Sequence, residues 1–174
     1  MVLTSWFPTY WTSLFKLSIK TAGLLTALYS IIASVTRIYA GKVADKKGGE
    51  TTATLGLVIM LAGAVCMTLS SSIGFAIVGI LLLAIGMGAT NAAVFKIVPK
   101  AVPQAVGGAS GWIGGIGALG GFVIPPLMAS FIDKSGESLT GYSTGFVVFI
   151  VLNIIALIIL ALINKIQKEN VTHK

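Results

Sequence analysis

A succession of long apolar stretches, separated by short polar connections, is the feature that most constrains the fold of this chain. A helix rises about 1.5 Å per residue, so roughly 20 apolar residues are needed to cross a hydrocarbon core ~30 Å thick. Inside that core the backbone polar groups cannot turn to water, which leaves the helix as the structure for a single span. The apolar stretches occupy residues 1–15, 22–40, 53–69, 73–98, 107–132 and 142–163.

These stretches predict an all-α membrane protein, with a transmembrane helical bundle over residues 1–164 and a polar cytoplasmic tail at 165–174. The first stretch ends at Phe15 and is too short to cross a bilayer, so we expect its helix to be truncated at its start. Composition agrees, because 56% of the residues are hydrophobic and only 10% are charged. The formal charge of +7 comes from lysines placed between the apolar stretches, which favours a membrane over a nucleic-acid partner.

The placement of the lysines also predicts an orientation in the membrane. Lysine is more frequent on one side of the alternating connections than on the other: Lys42, Lys46, Lys47, Lys96, Lys100, Lys165, Lys168 and Lys174 against Lys16, Lys20 and Lys134. By the positive-inside rule, the side richer in lysine faces the cytoplasm. We therefore expect a multi-pass protein of the cell membrane whose C-terminus is cytoplasmic.

The fifth apolar stretch is unusually rich in glycine, with the sequence GGASGWIGGIGALGGFVIPP from Gly107 to Pro126. Each interior glycine costs a helix in water about 0.5–1 kcal/mol relative to alanine, but in a bilayer the helix remains the available structure. Steps of three and four residues place these glycines on one continuous face. Two interpretations stay open: a close-packed helix pair, or a substrate path walled by backbone.

Arg37 is the only arginine and the only charged residue well inside a predicted span. An ionisable group at membrane depth costs about 2.5–3.5 kcal/mol on insertion scales, so it usually faces a cavity or a partner. None of the five acidic residues lies in a neighbouring span. The planar guanidinium matches carboxylate, phosphate and similar oxyanions, which predicts an anion site. The alternative is that Arg37 extends towards the cytoplasmic headgroups.

Three further residues are weaker candidates for ligand contact. Asn91 is a buried amide that could bind a ligand or join two helices, and Phe7 and Tyr10 could line a cavity or belong to an interfacial aromatic belt. The sole histidine, His173, lies in the tail, and Cys66 is the only cysteine. The sequence therefore predicts no enzyme, no catalytic residue, no metal site and no cofactor.

Three stretches together resemble one family. TRIYAGKVADKKGG, Thr36 to Gly49, is similar to the loop between the eighth and ninth helices of major facilitator transporters. GMGATNAAVFKIVP, Gly86 to Pro99, and GWIGGIGALGGFVIP, Gly111 to Pro125, resemble the tenth helix and the glycine-rich signature of the eleventh helix of nitrate/nitrite porters. The resemblance covers essentially the whole chain and identifies it as the C-terminal six-helix half of that fold.

The resemblance implies secondary transport of nitrate or nitrite by alternating access. Arg37 matches the arginine that this half contributes to the anion. Together with the Asn91 amide described above, Gly114, Gly117, Tyr10 and Phe7 are the expected substrate-binding neighbours. The other glycines of the signature helix are expected to pack and slide against the second half: Gly107, Gly111, Gly115, Gly120 and Gly121. The loop motif corresponds to Gly41, Asp45 and Lys46.

The chain departs from the family in length. Facilitators have twelve spans with the site between two halves, whereas this chain has one half. The expected partners are therefore a small inorganic anion, the lipid bilayer and an N-terminal six-helix half, in the same polypeptide or in another. Two alternatives remain: a facilitator for a different small anion, and a membrane fragment that does not transport.

Overall fold

The computed structural model describes residues 2–70, 72–135 and 143–172 of the chain. Within these ranges the chain forms six long helices and no strand, which confirms the predicted all-α fold and fits one half of a facilitator. The start of the last predicted stretch, at 142, and the last two residues of the tail lie outside the described residues. The helices are α1 (Val2–Phe15), α2 (Ile19–Lys47), α3 (Gly49–Thr68), α4 (Ile73–Ala101), α5 (Val106–Ser135) and α6 (Val147–Thr172).

Five of the helices, α2 to α6, are long and apolar enough to cross a membrane. Many large apolar side chains on their outer surfaces are exposed, for example Leu24, Ile31 and Val58. Such a surface suits lipid and would be unfavourable in water over this area. The chain is therefore a multi-pass membrane protein.

The connection between α2 and α3 is much tighter than the sequence predicts. The polar stretch GKVADKKGGET, Gly41 to Thr51, predicts a turn, and this prediction is wrong, because α2 continues through Lys47 and α3 begins at Gly49. The reversal is confined to Gly48, whose φ of 91° strongly favours glycine, and whose N–H donates to the carbonyl of Ala44. Lys46 and Lys47 suit the last turn of a helix, where the carbonyl ends attract positive charge.

As a consequence, Gly41, Asp45 and Lys46 lie on a helix and not in a loop. The sequence PKAVPQ, Pro99 to Gln104, predicts a break in the helix, but α4 includes Pro99 and ends at Ala101. A proline this close to a helix end removes one bond from a turn that is about to stop, so the helix tolerates it.

Helix α4 is the central element and packs against both α2 and α3. The α3–α4 contact is formed by glycines that let the two backbones touch. A Cβ atom added to Gly86 would lie 2.5 Å from the Met60 nitrogen, and one added to Gly63 would lie 2.7 Å from the Leu83 nitrogen. Neither position can hold a side chain unless the helices separate.

A second part of the apolar core, where α1 packs against α2 and Phe146, is aromatic. The ring of Phe7 lies 5.0 Å from that of Tyr29 and 6.3 Å from that of Phe146. The Tyr10 hydroxyl is within 2.7 Å of the Ser70 hydroxyl, at the α3–α4 turn. These contacts fix α1 against α2, the α3–α4 turn and the residues that lead into α6.

Candidate anion-binding site

Arg37 lies in the second half of α2, and its exposed side chain borders an open cavity of about 640 Å³ between α2, α4 and α5. The cavity brings together four of the predicted substrate-binding residues, namely Arg37, Asn91, Gly114 and Gly117. Its remaining lining residues are Met87, Phe95, Ile113, Ala118, Gly121 and Phe122. Arg37 thus faces the same concave surface as the glycine-rich helix, the arrangement that an anion site on this half requires.

The approach of α2 to α4 depends on Gly88, one of two glycines in the GMG segment of α4. A Cβ atom at Gly88 would clash with the carbonyl oxygen of Ala33 and lie 3.0 Å from Cβ of Thr36. Gly86, two residues earlier, instead faces α3 at Met60. Ala33 and Arg37 are four residues apart and share a face of α2, so this contact places Arg37 beside the cavity.

The charge balance of the cavity is positive. Over the part of the chain that the structure describes, the ion pair that forms is between Lys96 Nζ and Asp45 Oδ1, at 2.6 Å. No described carboxylate lies within 4.0 Å of the Arg37 guanidinium. Its five N–H donors are therefore available to an anion in the cavity. The same described residues hold no group of three His, Cys, Asp or Glu side chains that could bind a metal ion.

The glycine-rich helix α5 presents its backbone to open space. A Cβ atom added to Gly107, Gly111, Gly114, Gly115 or Gly117 would meet nothing within 4 Å among the described residues outside the local helix. At Gly120 it would touch only Ile124 of α5 itself, at 3.7 Å. The predicted packing role of Gly107, Gly111, Gly115 and Gly120 therefore finds no second helix within the described chain and stays a prediction about the second half.

The structure does not bring Phe7 and Tyr10 to this cavity. Both side chains have 0% exposure and belong to the aromatic core, and neither is among the lining residues. Helix α1 is covered by α2 and by Phe146, so its aromatic face points into the bundle. Asp45 of the loop motif lies near the end of α2, where its bond to Lys96 joins α2 to α4.

Sequence reasoning missed five apolar residues of the cavity wall: Met87, Phe95, Ile113, Ala118 and Phe122. The Tyr29 hydroxyl donates to the sulfur of Met87 at 2.6 Å, which holds that side chain at the wall. Met87, Asn91 and Phe95 are spaced by four residues and so share one face of α4. This spacing was readable in the sequence, and it places an apolar wall on either side of the Asn91 amide.

Comparison with known proteins agrees with this architecture. A profile of the Major Facilitator Superfamily matches residues 1–173. The chain is 33% identical to the "Probable nitrate/nitrite antiporter NarK1" of Thermus thermophilus over 74% of its own length and 33% of that protein. It is 31% identical to the "Probable nitrate transporter NarT" of Staphylococcus epidermidis, covering 92% of the chain and 41% of the relative.

A third relative, the "Probable nitrate transporter NarT" of Staphylococcus haemolyticus, is 30% identical over 87% of the chain and 38% of its own length. The chain thus spans between a third and two fifths of the length of these relatives. No solved structure matches it. The superfamily match and these relatives confirm the family predicted from the three sequence stretches: the chain belongs to the major facilitator superfamily, in its nitrate/nitrite porter family.

Proposed function

We propose that this chain is the anion-binding C-terminal half of a secondary transporter that moves nitrate or nitrite across the cell membrane by alternating access. The observation that carries the proposal is the position of Arg37. Its guanidinium has no carboxylate partner among the described residues and faces a cavity shared with Asn91 and the α5 glycines. A guanidinium without a carboxylate partner, beside an apolar wall, favours the binding of a small anion.

The shape of the site suits a small planar oxyanion. A guanidinium offers two parallel N–H donors, which match two oxygens of a planar anion. Gly114 and Gly117 lack side chains, so an anion can approach the α5 backbone closely. The Asn91 amide can donate a further hydrogen bond, because its side chain has no hydrogen-bond partner among the described residues. Binding and release need no covalent chemistry.

The proposal includes a second half that covers the cavity, supplied by the same polypeptide or by another. In facilitators, substrate sites lie near the midplane between two halves. The relatives are more than twice the length of this chain, and the α5 glycine face is open on the side of the cavity. The lysine distribution supports a cytoplasmic C-terminus in the cell membrane.

The test is nitrate uptake and nitrate binding by the chain together with its second half, compared between Arg37→Lys and the unmodified protein. We expect the lysine variant to lose saturable uptake by about tenfold or more, because a point charge cannot replace a bidentate fork. Lys42→Met is the matched control. It removes a positive charge from an exposed position on the same helix, outside the cavity, and should leave uptake unchanged.

Three outcomes would overturn the proposal. If Arg37→Lys transports nitrate normally, Arg37 is not the anion-binding residue. If the complete protein transports a different small anion in a competition panel and ignores nitrate and nitrite, the site is an anion site with another passenger. Absence of saturable binding for every anion would identify a membrane fragment that does not transport.

A further inference from the structure

One face of α2 is exposed along most of the helix and ends in two lysines. Its residues recur at steps of three and four, so they form one line along the helix. The apolar members are Leu24, Leu28, Ile31, Val35 and Ile38, and the line continues with Lys42 and Lys46. Tyr39 lies beside this line and is 64% exposed. We call the line together with Tyr39 the α2 outer face.

The α2 outer face points away from both α4 and the anion cavity. A helix turns by about 100° per residue, so positions nine residues apart lie on opposite sides. Ala33, whose carbonyl oxygen meets Gly88 of α4, is nine residues from Lys42. Arg37, at the cavity, is nine residues from Lys46. A second half seated over the cavity would therefore lie on the other side of α2.

The two lysines of the outer face carry positive charge that no described carboxylate offsets. They are four residues apart, so their side chains are neighbours on the helix surface. Asp45, which lies between them in sequence, is bound to Lys96 of α4. Within the described ranges, no carboxylate oxygen lies within 4.0 Å of the Lys42 or Lys46 ammonium group. Two neighbouring ammonium groups without a partner favour a phosphate group.

Tyr39 marks where the face meets the membrane surface. The Lys42 ammonium lies 5.9 Å from the centre of the Tyr39 ring, within the range of a cation–π contact. Tyrosine is enriched at the boundary between hydrocarbon and headgroups, where its ring is apolar and its hydroxyl is hydrated. The apolar line from Ile38 back to Leu28 is about 15 Å long, which is half of a ~30 Å hydrocarbon core. Its length therefore matches the acyl chains of one leaflet.

We propose that the α2 outer face binds an anionic phospholipid, with its phosphate between Lys42 and Lys46 and an acyl chain along Val35 and Ile31. The Tyr39 hydroxyl supplies a further donor to the headgroup. The apolar line selects a lipid over a free phosphate ion, which has no apolar surface to bury. A zwitterionic lipid binds less well, because its own cation offsets the attraction of the lysines.

The experiment is native mass spectrometry of the chain in detergent, alone and with its second half, after addition of phosphatidylglycerol or phosphatidylcholine. We expect phosphatidylglycerol to bind about fivefold or more tightly, since lysines at a membrane surface attract anionic lipids. The double variant Lys42→Gln with Lys46→Gln should bring the ratio of the two affinities close to one. An unchanged ratio in this variant would overturn the proposal.

The matched control is the double variant Lys20→Gln with Lys47→Gln. It removes the same amount of charge from exposed positions of the same helix, one at the opposite end and one about a quarter turn from Lys46. We expect it to keep the preference for phosphatidylglycerol. If it loses the preference as fully as the first variant, net charge and not a defined site attracts the lipid, and the proposal is wrong.

A second arm locates the bound lipid. A phosphatidylglycerol with a photoreactive diazirine in its acyl chain should label α2 between Ile31 and Ile38, in the chain alone and in the complete protein. If the second half abolishes this label, the face is a contact between protein helices, which contradicts a lipid site. Displacement of the label by millimolar inorganic phosphate would contradict it too. Neither arm measures nitrate, so failure of the lipid site and failure of the anion site at Arg37 remain distinguishable.

Discussion

Two regions of this chain are built from glycine and use it in opposite ways. On the facing sides of α3 and α4, glycines at 49, 56, 63, 79 and 86 bring two backbones into contact. On α5, glycines at 107, 108, 111, 114, 115 and 117 face open space. Glycine content alone therefore does not tell whether a helix is packed or free. The spacing and the neighbouring helix decide it.

The spacing differs in a way that follows from helix geometry. The glycines of α3 recur every seven residues, as do Gly79 and Gly86 of α4, so each set forms one straight line along its helix. The α5 glycines recur at steps of one to three and cover a broad surface. A narrow line fits one partner helix in one position, whereas a broad smooth surface suits a path or a sliding contact. Substitutions at Gly86, Gly88 and Gly117 test this distinction.

The largest effect is expected at the α3–α4 contact. Gly86→Leu should destabilise the chain by about 3 kcal/mol or more, because its side chain would occupy the space of the Met60 backbone. Thermal unfolding in detergent measures the change. Gly115→Leu, on α5, is the matched control and should fold normally. Equal losses at the two positions would refute the distinction between the two glycine regions.

A smaller loss of stability is expected at Gly88, where α4 meets α2. Gly88→Ala should cost roughly 1–3 kcal/mol, since α2 must move away from the added methyl group. The same movement should displace Arg37 from the cavity, so nitrate binding by the complete protein should weaken as well. A variant that loses stability but binds nitrate normally would show that the α2–α4 contact does not position Arg37.

On α5 the expected effect is on binding and not on stability. Gly117→Leu should unfold at about the temperature of the unmodified chain, because a Cβ atom there meets nothing within 4 Å. In the complete transporter it should weaken nitrate binding by about tenfold, which corresponds to about 1.4 kcal/mol, by filling the cavity beside Arg37. Gly107→Leu lies outside the cavity lining and serves as the comparison. Unchanged binding in Gly117→Leu would argue against a backbone-walled site.

The smallest effect is expected at the exposed ion pair between Asp45 and Lys96. Both side chains are about half exposed, so Lys96→Met should cost less than about 1 kcal/mol. The cost should fall further as salt screens the pair. Unfolding measured at low and high ionic strength checks this. A larger loss that does not depend on salt would mean that Lys96 also contributes through packing of its apolar stem.

The membrane spans were predictable because a bilayer imposes a length and an apolar composition on each helix. Helix ends were less so: α2 extends through Lys46 and Lys47, because lysine is a good helix former and can continue a helix beyond the lipid. An apolar pattern marks where the membrane ends, and the helix need not stop there. The turn between α2 and α3 is at Gly48, where a glycine can adopt the positive φ that the reversal needs.

The residues of the candidate site also divide into those that the sequence predicts and those whose position it does not predict. Arg37 was readable as a lone charge in an apolar span and Asn91 as an amide in another, and the resemblance added Gly114 and Gly117. That these residues bind one anion together awaits a binding measurement. The placement of Phe7 and Tyr10 was not readable, because an aromatic side chain on a short helix can face a cavity or a core equally well. Contacts with Tyr29, Phe146 and Ser70 decide it, and these come from distant parts of the chain.

Helix α4 is wedged on both sides, since Gly86 sits against the α3 backbone and Gly88 against the α2 backbone. Close backbone contacts on two sides tie α4 to α2 and α3, so we expect these three helices to move together. Asn91, three residues further on, is consequently a fixed origin for measuring motion in this half. A pair of spectroscopic labels on α4 and α5 would then measure the displacement of α5 relative to α4.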